Sequence, residues 1–153
     1  MNAIFQSALT IHSVVHICID ASPEAEFYPE ALFELGRAYT LNDDDENAFS
    51  CFRKLADTVK DSTFVARAYI EMGSLSRNQS QYNEALGYYK TVVEQMPMSG
   101  YAEDALAAIE SIYQTRNQPD EYLDYIEAIG KGGIKTDDEK ESMLFNSAAQ
   151  YGL

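Results

Sequence analysis

His12 and His16 stand four residues apart, a spacing that puts two imidazoles on one helix face as in a two-histidine zinc pair. No His-Glu pair accompanies them as in metalloprotease helices, and Cys18, the nearby cysteine, falls off their shared face. A structural or solvent-facing role is expected for both. The run Asp43, Asp44, Asp45 and Glu46 is a second candidate. A calcium loop of the EF-hand kind needs glycine at its sixth place and glutamate at its twelfth; counted from Asp43, those places hold Ala48 and Lys54. The acids instead suit a helix start, where carboxylates cap free N–H groups and favour the positive end of the helix. For nucleophilic catalysis there is no Gly-x-Ser-x-Gly elbow, no phosphate loop, and no histidine beyond these two. Cys18 and Cys51 are the only cysteines and are too far apart for a CxxC knuckle. The expectation is a protein that is not an enzyme, with no cofactor and no metal.

Tyr82, Tyr88, Tyr89, Tyr122 and Tyr125 could stack on bases. Against this, 11 basic and 25 acidic residues give a net charge of −14, which repels phosphate backbones and anionic lipid surfaces. Nucleic acid and direct membrane insertion are therefore not expected, and the helical spacing of the tyrosines turns several toward packing. With 153 residues, 46% apolar and 24% charged, the chain has ordinary globular composition and room for one core. Residues 1–20 are apolar but lack a basic leader and are broken by Gln6, Ser7, His12, Ser13 and His16, so they read neither as a signal peptide nor as a span.

A shift of 37 residues aligns the chain with itself. Leu32 falls on Tyr69 and Leu106, Leu35 on Met72 and Ile109, and Gly36 on Gly73 and Glu110. Tyr39 falls on Ser76 and Tyr113, Ala48 on Ala85 and Tyr122, Phe52 on Tyr89 and Ile126, and Leu55 on Val92 and Ile129. Each copy carries helical apolar spacing, a polar turn, then helical spacing again, so each is expected to be a helix hairpin that buries its face against its neighbours. Asp43, Ser80 and Asn117 share one turn position and are expected to cap the following helix. Gly36 and Gly73 cost about 1 kcal/mol each against alanine in a helix interior, which close approach of the paired helix would justify. Leu35, Met72, Ile109, Phe52 and Tyr89 are expected in the core.

These residues resemble the tetratricopeptide repeat (TPR) family, whose unit has a large residue, Leu-Gly and an aromatic on its first helix, then Ala, an aromatic and Pro on its second. The second copy supplies Tyr69, Met72, Gly73, Ala85, Tyr89 and Pro97; the first supplies Leu32, Leu35, Gly36, Tyr39, Ala48 and Phe52. The third departs with Glu110, Tyr122 and Ile134, and the period exceeds the family's, which is about 34. Extra residues around "VKDSTFV" and "MPMSGYA" account for the difference. The resemblance implies an all-α fold, a right-handed α-α superhelix, as one solenoid domain over 1–153. Its expected parts are a partial unit 1–28, repeats at about 29–65, 66–102 and 103–134, and a terminal helix 136–153 opened by a Thr136/Glu139 capping box. Starting and stopping mid-unit suits a segment of a longer array, or a short solenoid whose end helices are caps.

The resemblance also implies a non-catalytic protein–protein interaction scaffold, with a concave groove for a peptide or partner segment. It is nearest to TPR proteins of bacterial cell envelopes, which favours the periplasm or envelope assembly, with the cytoplasm as the alternative. Carried over by register, the groove residues are Phe33 and Arg37 from the first copy, Arg67, Ile70, Ser74, Arg77 and Asn78 from the second, and Ser111 from the third. Arg37, Arg67 and Arg77 beside Phe33 and Ile70 would suit an acidic and apolar segment, unless they pair with local acids. Phe33 and Arg37 stand where chaperone-tail binders carry a Lys and Asn clamp, so chaperone tails are not expected. The competing readings are a metal-binding or enzymatic protein using His12 and His16, and a structural, self-associating spacer.

Overall fold

The computed structural model describes residues 22–150 and Gly152; His12, His16, Cys18 and most of the first partial unit lie outside the described residues. Seven α-helices and no strand occur among the described residues. They are α1 (Tyr28–Leu41), α2 (Asp45–Thr58), α3 (Ser62–Asn78), α4 (Tyr82–Gln95), α5 (Ala102–Thr115), α6 (Pro119–Ala128) and α7 (Asp137–Gln150), with a 3-10 turn at Gly132–Ile134 before the last. Each helix packs against the next in chain order, and α1 also touches α3. None of the described helices is long and apolar enough to cross a membrane.

The turns after α1, α3 and α5 are built alike. Asp43, Ser80 and Asn117 sit in the left-handed region at φ 57°, 60° and 55°. Their N–H groups donate to Thr40, Arg77 and Gln114, and the next N–H in each case reaches back five residues, to Tyr39, Ser76 and Tyr113. This is the Schellman pattern, which satisfies the last carbonyls of a helix while reversing the chain. The expected role of these residues is thereby corrected: they close the preceding helix instead of capping the following one. The reversal between two packed helices leaves only a few residues, and one of them has to take positive φ. The cap role passes one residue on, to Asp44, which accepts from the Asn47 N–H at 3.3 Å. The acidic run is therefore turn, cap and first helical turn.

Asp and Asn tolerate the left-handed region better than serine does. Replacing Ser80 by glycine is accordingly expected to stabilise the protein by about 1 kcal/mol, the relief of a strained φ less the added freedom of the unfolded glycine. A rise in the urea midpoint at unchanged slope checks it.

Helix α3 starts at Ser62, inside the span expected for the first unit, because Asp61 caps it by accepting from the Thr63 N–H at 2.8 Å. The core residues read from the repeat are all buried: Leu35, Phe52, Met72, Tyr89 and Ile109 are at most 5% exposed. Gly36 and Gly73 lie where a helix pair closes most tightly. A Cβ on Gly36 would come within 2.6 Å of the Phe52 ring, and one on Gly73 within 2.7 Å of the Tyr89 ring. In the third unit Ile126 holds the aromatic's place and Glu110 the glycine's, and Glu110 pairs with Lys135 at 2.9 Å.

Helix α7 opens with the expected capping box. The Thr136 N–H donates to Glu139 Oε2 at 2.8 Å, and the Glu139 N–H donates to Thr136 Oγ1 at 3.2 Å. The Thr136 N–H and the Thr136 hydroxyl, both donating to Glu139 Oε2, hold the Glu139 carboxyl below the usual carboxylate range. Because the folded state binds its proton less readily than the unfolded chain, the stabilisation is present above the ordinary carboxylate value and is lost as pH falls through the folded value. The amide protection factors of α7 are expected to fall in acid before those of α1 to α6, and Glu139→Gln should remove much of that difference.

Candidate partner-binding groove

The register that builds the core also fixes which side chains leave it on the first helices of the three units. A cavity of about 300 Å³ opens there, lined by Phe33, Arg37, Arg67, Ile70, Glu71 and Tyr101. Helix α1 contributes Phe33 and Arg37, α3 contributes Arg67, Ile70 and Glu71, and Tyr101 comes from the residue preceding α5. Four of the residues expected in the groove, Phe33, Arg37, Arg67 and Ile70, are thus brought together. Ser74, Arg77, Asn78 and Ser111 do not line this cavity. Ser74, Arg77 and Asn78 lie exposed along the later turns of α3, and Ser111 is half-buried on α5.

Phe33 is not an exposed shelf. It is 4% exposed and packs against Phe52 with ring centroids 5.6 Å apart. The Arg67 guanidinium covers its outer face, 3.8 Å from the ring centroid, a cation–π contact. Arg67 is consequently half-buried, its head packed on the Phe33 ring.

The two readings of the arginines now separate. Arg37 pairs with Glu34 at 3.2 Å on its own helix, and Arg67 pairs with Glu30 at 3.6 Å across from α1. Both are engaged by local acids. Arg77 has no ion pair within 4 Å among the described residues, but it stands apart from the cavity. Of the two readings, pairing with local acids holds for Arg37 and Arg67, and the three arginines do not share one open patch.

Glu71 and Tyr101 are the groove residues that sequence reading missed. Glu71 repeats the position of Glu34 one period on, a signal that was present but carried no chemistry in one dimension. Tyr101 lies in the stretch read as inserted between units. Burial pushes the Glu71 carboxyl above its usual value, and the nearby Arg37 and Arg67 only partly counter that.

No family model, curated protein or solved structure matches this chain. The site is therefore argued from its own geometry. Among the described residues, no group of three or more His, Cys, Asp or Glu side chains is placed to hold a metal ion. The tyrosines pack. Tyr89 and Tyr122 are buried, and burial raises both hydroxyls. Tyr88 lies between Phe49 and Tyr69 and accepts a hydrogen bond from Arg53 at 3.1 Å. One period on, Lys90 sits 4.5 Å from the Tyr125 ring centroid. The two pairs stand one period apart, but the first is a hydrogen bond to the hydroxyl and the second a cation over the ring, with the Lys90 ammonium donating to the Tyr113 hydroxyl at 3.1 Å.

Proposed function

We propose that the chain is a non-catalytic protein-interaction scaffold, built as a right-handed solenoid of helix hairpins similar to tetratricopeptide repeats. Its first helices α1, α3 and α5 would line a concave groove that takes a segment of a partner protein. One observation carries this reading: a single cavity gathers side chains from α1, from α3 and from Tyr101, which leads into α5, so the first helices of successive hairpins share one surface. The 37-residue repetition of the turns and of the glycine-to-ring contacts supports the repeat architecture. A setting in bacterial cell-envelope assembly is proposed from the resemblance to envelope repeat proteins.

The test is site-specific photo-crosslinking in the native host, with the crosslinker at Ile70 and, as control, at Arg53 on α2. A discrete adduct from Ile70 that is absent from Arg53 is expected. Adducts of equal yield from both positions would remove the groove from consideration. Reversing Arg67 is a poor probe, since a glutamate there would face Glu30 and lose the contact with Phe33.

The second reading is a self-associating spacer, favoured by Leu144 and Phe145, which lie exposed side by side on α7 at 44% and 72%. A crosslinker at Phe145 that joins copies of the chain to one another, with none found at Ile70, would favour it.

A further inference from the structure

We propose that the groove takes a lysine or arginine side chain carried on an apolar segment, with Glu71 as its counter-ion; this rests on the groove reading above. The charges in the cavity decide the sign. Arg37 is held by Glu34 at 3.2 Å and Arg67 by Glu30 at 3.6 Å. Glu71 lines the same cavity, yet it makes no hydrogen bond and no ion pair within 4 Å among the described residues. Glu34 and Glu30 do not line the cavity but neutralise its two arginines, and Glu71, the half-buried carboxylate, is the charge left without a close partner.

A half-buried carboxylate with nothing bonded to it is undersolvated, which is why burial raises it despite two arginines nearby. A cation brought by a partner would supply the missing charge-assisted bond. An acidic segment would have to share Arg37 or Arg67 with Glu34 or Glu30 while facing the Glu71 carboxylate. Ile70 and Tyr101 offer apolar wall for the alkyl stem of a lysine or arginine, whose charged head then reaches the polar end of the cavity. At longer range the net charge of −14 draws cationic segments in and repels anionic ones.

The test uses fluorescein-labelled peptides of one leucine–alanine framework that differ only at the central residue, which is Arg, Gln or Glu. Binding is read by fluorescence anisotropy to the full chain. The Arg peptide is expected to bind about tenfold tighter than the Gln peptide. Glu71→Gln should abolish that preference while leaving the Gln peptide unchanged, and Asp57→Asn, at an exposed acid on α2, should leave the preference intact. Far-UV circular dichroism confirms that each variant is folded. Tightest binding by the Glu peptide, no binding by the Arg peptide, or equal losses in the Glu71 and Asp57 variants would overturn the assignment. Ile70→Asp separates the two levels. If it weakens all three peptides but the Glu peptide binds best, only the cation assignment fails. If it leaves all three affinities unchanged, the groove reading itself fails.

Discussion

Truncating Phe52 to alanine is expected to lower the unfolding free energy by about 3 to 5 kcal/mol. The ring is wholly buried, packs against Phe33 at a centroid distance of 5.6 Å, and has Gly36 close against its edge. The loss includes the cavity left behind as well as the transfer of the ring to water. Urea unfolding followed by circular dichroism measures it. A loss below about 1 kcal/mol, the range of ordinary surface changes and mild repacking, would mean that α1 and α2 are not closed on this ring.

Gly73→Ala is expected to cost about 1 to 3 kcal/mol by overpacking, even though alanine is better than glycine in a helix interior by about 1 kcal/mol. The added Cβ would meet the Tyr89 ring at 2.7 Å, and that ring is itself 3% exposed with no free side to retreat to. The third unit shows the alternative solution, with Ile126 in the ring's place and a residue larger than glycine opposite. Tyr89→Ile should therefore suppress part of the Gly73→Ala defect. The double variant should be more stable than the sum of the single losses, by a coupling of about 0.5 to 3 kcal/mol. Strict additivity would show that the glycine is kept for some other reason than the ring.

Much of the fold was legible because it repeats. Leu35, Met72 and Ile109 carry the same burden at one period, and so do Phe52, Tyr89 and Ile126, so each copy confirms the reading of the others. The glycines were legible for the same reason: an unfavourable residue recurring at one helical position implies a close neighbour. The Thr136/Glu139 box was readable because its bonds span only three residues. The turn residues were found but given the wrong role. Asp43, Ser80 and Asn117 are residue types that suit both a cap and a left-handed turn, and only the backbone path between packed helices chooses between the two.

The charges of the groove were decided in three dimensions. By its own sequence the chain determined its helices, its period, its core and the rough face on which Phe33, Arg37, Arg67 and Ile70 meet. It could not determine that Glu30 on α1 would reach Arg67 on α3, or that Arg67 would lie over Phe33. Nor could it show that Glu71 would be left in the cavity without a bonded partner while Tyr101 closed one side. Periodicity reports which face of a helix is apolar, because burial follows local spacing. Pairing of charges between helices depends on their separation and offset, and for α1 and α3 these follow from how each packs on α2.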